Sequence, residues 1–510
     1  MALRPSLRFL TSEDLAKIHE RSMEILENVG VRITHRRALQ VLGEAGAQIN
    51  RSDHRVRFPK NLVEGCLKSV PSKVIYGARD PDHDLIAEVG GPFHTRPMTG
   101  GEGYIDLETR QWRKVLTRDL VEWITLADGL ENVDYVASIY PDDMALDTRD
   151  VHILRHMLEH SVKHLEVQPY TGTGIGFMLE MIKVVQGGAQ EVRERPLLSV
   201  LTSSLAPLQM LPYALDILFT VGPLGIPIEL NSMPIAGATS PVTLAGVLLL
   251  ANVELLAGIV IAQSAFPGIP LMYSPRNLIM DSWTGLALMG RVENSMLTAC
   301  QAQIATELYK MPSNLFGPTG DAMCTDEQAA IEHAFRVALP ALSGANVIAG
   351  LGHIEHCYTY DPVLLVIDDD LIGMMRRVMR GVEISDETLG AEAIGRVGPG
   401  GNFLIDDHTL QYYKTEFYTP KTFNRFVRGV WKGKGSLPCS ELARSRAKRI
   451  LAEHTIPPLD GKMLAELDRI VAAADRAAAE GKLTHAHGGA TPDEYGSIGS
   501  LISGYLVEEK

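Results

Sequence analysis

Apolar residues recur at helical spacing from the start of the chain. Leu15, Ile18, Ser22, Ile25, Leu26 and Val29 fall on one face of a helix predicted over 11–29. Thr11 and Ser12 can cap it, Glu13 and Asp14 suit its positive end, and Gly30 can close it. A second helix is predicted near 36–45, followed by short β-like runs at 55–58, 73–76, 92–96 and 103–115. The last run predicts a hairpin turning near Glu108 to Arg110. Residues 1–115 therefore read as an α+β N-terminal region.

The rhythm changes at Thr117, which caps a helix bearing Leu120, Trp123, Ile124 and Ala127. Strand-like runs then alternate with helical ones at 133–139, 164–167, 197–202, 226–230, 269–273, 314–316 and 346–349. Seven such units in series predict an α/β fold, a TIM (β/α)8 barrel over 116–409. An open doubly wound sheet is the alternative. The eighth strand is expected at 382–384 or 402–404. Residues 410–510 read as a C-terminal helical extension, with a tail or docking arm from 484.

Composition narrows the picture. A net charge of -14 disfavours nucleic acid and anionic membrane as partners. Cys66, Cys300, Cys324, Cys357 and Cys439 form no CxxC pair, so neither a zinc ribbon nor a disulfide framework is expected. Reduced thiols and a start too broken for a secretion signal suggest the cytoplasm. The run 241–267 is strongly apolar but holds Asn252, Glu254 and Gln263; a buried barrel helix is expected there rather than a membrane span. Length and apolar fraction make a homo-oligomer the expectation.

Barrel chemistry sits at the C-terminal ends of the strands. Polar and aromatic residues cluster at those ends: Tyr140, Tyr170, Asn231, Tyr273, Phe316, Asp321, His353, Glu355 and Tyr358. With Arg96 and Arg276 they are the candidate substrate-binding residues. Aromatic faces suit a quaternary ammonium, and arginine or histidine suits an anionic group. An acid–base pair of Asp321 or Glu355 with His353 would instead point to a lyase. His353, His356 and Cys357 lack the further ligands of a metal centre. His152, His156 and His160 share a helical face, with His164 next in the series, and read as a solvated stripe. No metal is expected. The GxGxG of Gly172, Gly174 and Gly176 lacks the dinucleotide pattern.

Several stretches resemble one known family. They are Ile18-His19 with Ser22 to Val31, Pro241 to Gly246 with Ala251 to Glu254, and Pro267 to Pro270 with Asp281, Gly285 and Glu293. Gly317 to Asp321, Gly344 to Asn346, Val366 to Asp368, and Gly400 to Leu404 with His408 and Thr409 complete the series. Together they are similar to the trimethylamine/glycine betaine corrinoid methyltransferases. The resemblance implies a TIM barrel that passes a methyl group from an amine to the Co(I) cobalamin of a separate corrinoid protein. It also implies pyrrolysine in members acting on trimethylamine. This chain holds only standard residues and so resembles the branch without it, which uses glycine betaine or related betaines. No cofactor is then held tightly, and no residue of the chain is assigned a catalytic role. A tertiary amine as substrate, or a barrel that binds a quaternary amine without turnover, are the alternatives.

Overall fold

The computed structural model describes residues 5–169 and 174–483. Tyr170, Gly172 and the expected tail from 484 lie outside the described residues. The protein is a mixed α/β structure built on parallel strands. Those that matter for the site are β1 (His94–Pro97), β2 (Val136–Ala137), β3 (Leu165–Val167) and β4 (Leu198–Leu205). They continue as β5 (Ile228–Ser232), β6 (Leu271–Pro275), β7 (Asn314–Phe316) and β8 (Val347–Leu351).

Strands β2 to β6 pair in sequence order, every pair parallel. β7 pairs with β8, and β8 with β1, again in parallel. A parallel bridge joins Tyr273 of β6 to Ser313, beside β7. At the other junction the amides of Asp134 and Tyr135, just before β2, donate to Thr95 O of β1 at 3.0 and 3.3 Å. The seven expected strands all appear within a few residues of their expected positions. The eighth does not. Neither 382–384 nor 402–404 is a strand, and β8 pairs instead with His94–Pro97 from the N-terminal region. A strand added from upstream leaves no trace in local periodicity, which is why the run at 92–96 looked like part of a separate unit.

The N-terminal elements follow their local signals closely. The first helix runs Ser12–Asn28, with the Thr11 side chain accepting from Asp14 N in a capping box. Gly30 ends it at φ +77°, and a Cβ there would lie 2.2 Å from Val56 O. The antiparallel hairpin Lys73–Tyr76/Leu85–Glu88 covers the N-terminal ends of the strands. Its Tyr76 packs with Tyr135, Met272 and Val347 in one buried cluster.

Helix Leu244–Ala265 is long and apolar enough to cross a membrane, yet 72% of its most apolar window is buried inside the structure. Its polar residues each have work there. Glu254 accepts from Ser204 Oγ, Leu208 N and Ser232 Oγ at 2.6–2.8 Å, fastening the helix to the ends of β4 and β5. Asn252 bonds Ser22, Tyr273 and Tyr309. Gln263 donates to Ile269 O and accepts from Gly268 N. An apolar helix with this pattern is a core element tied by buried hydrogen bonds. Two late helices close the outside: Cys439–Glu453 against Pro362–Met379, and Gly461–Ala479 against Arg149–His160 and Gly174–Gln186.

The plug at the strand N-termini gives a direct test. Tyr76→Ala removes a fully buried ring, so unfolding stability should fall by about 3–5 kcal/mol in urea denaturation.

Candidate functional site

The interior of the strand array carries charge. Glu166 sits in Leu-Glu-Val of β3 and Glu229 in Ile-Glu-Leu of β5. Alternation along a strand sends these side chains to one face, and that face is dry: both residues are fully buried. Arg96 of β1 meets both. Its Nε lies 2.5 Å from Glu166, its Nη2 lies 3.2 Å from Glu229, and its Nη1 donates to Pro97 O at 2.9 Å. Arg276, one residue past β6, reaches the same Glu229 oxygen at 3.2 Å and Asn314 Oδ1 at 3.3 Å. Asn314 in turn donates to the Tyr135 hydroxyl at 3.1 Å.

Burial disfavours charge on both carboxyls, but their neighbours divide them. Against burial, Arg96, the hydrogen bond with Glu166, and Arg276 hold Glu229 below the usual carboxylate range. For Glu166 burial dominates; Arg96 opposes it, and the adjacent Glu229 charge adds to it, so its pKa rises well above the usual range. The two carboxyls thus shift in opposite directions, as neighbouring carboxyls that share two guanidinium groups do. Burial and Arg96 push Arg276 down to about 10, which leaves it protonated at neutral pH. Two guanidinium groups, those of Arg96 and Arg276, share the Glu229 carboxylate. Arg276 also keeps Nε and Nη1 without a hydrogen-bond partner among the described residues. Buried donors of this kind are costly unless a ligand or water meets them.

Above this layer lies Phe316, at the end of β7. The Arg276 guanidinium sits 4.5 Å from its ring centroid, and that of Arg336 lies 5.9 Å away. Arg336 is buried as well, donating to Gly317 O at 2.8 Å and Met289 O at 3.0 Å, with burial pushing its pKa down to about 10. Leu278, Met289 and Cys357 pack with Phe316 in an apolar roof. Cys357 belongs to a turn in which Glu355, His356 and Cys357 all take φ between +54° and +66°. Each non-glycine residue in that region costs about 1–2 kcal/mol. Tertiary bonds hold the turn: Glu355 N donates to Ala322 O at 2.8 Å, and His356 N to Gly320 O at 3.0 Å.

The candidate residues separate on these contacts. Arg276 and Phe316 come together, with Asn231 at the end of β5 donating to Ser203 Oγ and keeping its Oδ1 unpartnered among the described residues. Tyr140 donates to Gln168 O at the ends of β2 and β3. Arg96 is buried at the same level but is engaged by Glu166, Glu229 and Pro97, so it is no free anchor for a ligand. Tyr273 points the other way. Met272 takes the interior position, and alternation turns Tyr273 to helix Leu244–Ala265, where its hydroxyl donates to Asn252.

The strand-end loops hold the rest. Asp321 bolts loops together, accepting from Met289 N and Gly290 N at 2.8 Å and meeting His356 Nδ1 at 2.7 Å. Glu355 accepts from Thr359 Oγ1, and Tyr358, which is exposed, donates to Glu102. His353 is fully buried under Tyr360, their ring centroids 4.2 Å apart, and burial holds its pKa well below the usual imidazole range. It is therefore a neutral ring and not a cationic anchor. Asp321 pairs with His356, not with His353, so the acid–base couple considered for a lyase is not assembled.

Glu166, Glu229, Tyr135, Asn314 and Arg336 were not anticipated. Only the two glutamates had a legible signal: a lone carboxylate inside an otherwise apolar strand needs a buried partner.

The chain as a whole has known relatives. The family model described as trimethylamine methyltransferase (MTTB) matches residues 2–479. The chain belongs to this trimethylamine methyltransferase family. It is 32% identical over 482 residues to a trimethylamine methyltransferase of Methanosarcina mazei, covering 93% of this chain and 97% of that one. It is 32% identical over 495 residues to a trimethylamine methyltransferase of Desulfitobacterium hafniense, covering 96% and 95%. It is 30% identical over 474 residues to a glycine betaine methyltransferase of Desulfitobacterium hafniense, covering 92% and 98%. Among solved structures, the monomethylamine methyltransferase of Methanosarcina barkeri aligns over 88% of this chain and 99% of its own, at 13% identity and a TM-score of 0.49.

Removing Glu229 strands two buried guanidinium groups. Glu229→Gln should lower unfolding stability by about 3–5 kcal/mol, read by chemical denaturation at neutral pH. Because the Glu229 pKa is depressed in the folded state, its contribution is present above the ordinary glutamate range and is lost as pH falls. The gap between variant and parent should therefore narrow in acid.

Proposed function

We propose that this protein transfers a methyl group from a quaternary amine bearing a carboxylate, glycine betaine first, to the Co(I) cobalamin of a separate corrinoid protein. The observation that carries this reading is the buried Arg276 guanidinium, whose Nε and Nη1 have no hydrogen-bond partner among the described residues. A carboxylate would supply the missing acceptor, which a bare methylamine lacks. With the carboxylate held deep, the ammonium end lies nearer the strand ends, where Asn231 and Tyr140 stand. The methyl groups then face outward, toward an acceptor that arrives from outside. Such a transfer expels a neutral amine, so the chain need supply no nucleophile or acid. Its task is to align one N–CH3 bond and keep water out. Trimethylamine is the second reading, because relatives named for it are as similar to this chain as the one named for glycine betaine.

We further read the eight parallel strands as a closed barrel. The Tyr273–Ser313 bridge and the bonds to Thr95 O support closure at the two junctions outside the regular ladders. On this reading of the three-part division at 115 and 409, the first barrel strand comes from the N-terminal part. The strand-end loops expose Met233, Val242, Trp283, Leu286 and Met323, with Trp283 94% exposed. An apolar rim of this kind supports docking of the corrinoid protein there. Exposed Val382, Ile384, Leu404, Ile405, Leu410, Tyr413 and Phe417 support a homo-oligomer, and the cytoplasm is the matching location. No tightly held cofactor is proposed.

With the reduced corrinoid acceptor supplied, glycine betaine should methylate it and trimethylamine should not, followed by loss of Co(I) absorbance. Activity with trimethylamine alone would transfer the assignment to the second reading. Arg276→Gln should weaken glycine betaine binding about 10–100-fold by calorimetry. Tetramethylammonium, which has no carboxylate, should bind variant and parent alike. Equal loss for both ligands would make Arg276 a purely structural residue and remove the carboxylate argument.

A further inference from the structure

Helix Arg149–His160 leads into β3, so its last turn lies at the strand N-termini, opposite the groups described above. On that turn His156, Glu159 and His160 each offer a ligating atom, and the three atoms all lie within 4.8 Å of one another. The two imidazoles are stacked, with centroids 6.2 Å apart and planes 15° apart. A solvated stripe would leave both rings to water. Instead, Nδ1 of His156 is buried with no hydrogen-bond partner among the described residues.

We propose that His156, Glu159 and His160 form a binding site for one divalent transition-metal ion, zinc by donor type, at the seam between this helix and Gly461–Ala479. Residues at i, i+3 and i+4 share a helical face, and two histidines at i and i+4 can reach one ion. Two nitrogens and a carboxylate oxygen are a zinc donor set, with the fourth position left to water. Burial lowers the pKa of both histidines, which favours the neutral, ligating ring.

The surroundings set the strength and the consequence. Arg155 Nη1 donates to Glu159 at 2.9 Å, while its Nε donates to Asp468 of Gly461–Ala479, also at 2.9 Å. Arg79 donates to Leu158 O close by. These two guanidinium groups oppose a cation, so the site is weaker than a closed structural zinc centre. His152, one turn earlier, meets Asp475 of the same late helix at 3.0 Å. An ion on Glu159 frees Arg155 to serve Asp468 alone. Metal binding is thereby linked to the contact between the strand array's outer helix and the C-terminal extension.

The test uses the full chain, stripped with a chelator and titrated with zinc by calorimetry and with Co2+ by visible absorption. We expect one ion per chain with roughly micromolar affinity, tetrahedral-type Co2+ bands, and a thermal midpoint that rises with zinc. His156→Ala with His160→Ala should lose the ion, the bands and the thermal shift. Glu159→Gln should keep the fold by circular dichroism and bind at least about tenfold more weakly. His152→Ala, on the same face but outside the ligand set, should bind like the parent. A parent chain that binds no ion, or a Glu159→Gln variant that binds as tightly as the parent, overturns the proposal.

Discussion

The constraint on which the rest depends is the buried charge layer inside the strand array. Arg96 and Arg276 share the Glu229 carboxylate, and Arg96 also meets Glu166, whose pKa burial raises. Removing these groups from water costs several kcal/mol per ion, and only good geometry returns it. That geometry is drawn from four separate places in the chain: β1, β3, β5 and the residue after β6. The strands must therefore hold their registers within small tolerances, or a charge is left without a partner. The Tyr76 cluster packs at one end of this layer, and the Phe316 ring lies against Arg276 at the other.

The same layer explains where binding chemistry is left over. Arg96 spends its guanidinium on two carboxyls and a carbonyl, while Arg276 keeps two donors without a partner among the described residues. A structure seeking only stability would have paired both. The left-handed turn at Glu355 to Cys357 is a second departure from local preference. Its strain is carried by bonds to Gly320 and Ala322, and it sets Cys357 against Phe316 and Met289. Departures of this sort gather where function, not folding, chooses the conformation.

Much of the architecture was legible in the chain. The first helix and its Thr11 cap, the hairpin near Arg110, and seven of the strands follow from periodicity and turn chemistry, which are local properties. The apolar run around Glu254 was rightly expected as a core helix, because polar residues inside it needed partners. The eighth strand was missed because pairing is a long-range choice: 92–96 is as plausible a strand beside its own neighbours as beside β8. The site was only half readable for a related reason. Strand-end position marks which residues can reach a ligand, but not which way each side chain turns. Tyr273 and Phe316 look alike in the sequence, and alternation sends one to a helix and the other to Arg276.

What the sequence determined by itself was the set of elements, their parallel order and the family, since these rest on patterns of a few residues repeated along the chain. What the tertiary structure decided was the pairing of charges. Four ionisable residues separated by up to 180 positions meet only after the strands take their register, and the donors Arg276 leaves unmatched among the described residues are a difference between contacts. No stretch of sequence contains that difference, because an unpartnered arginine and a paired one are spelled the same way.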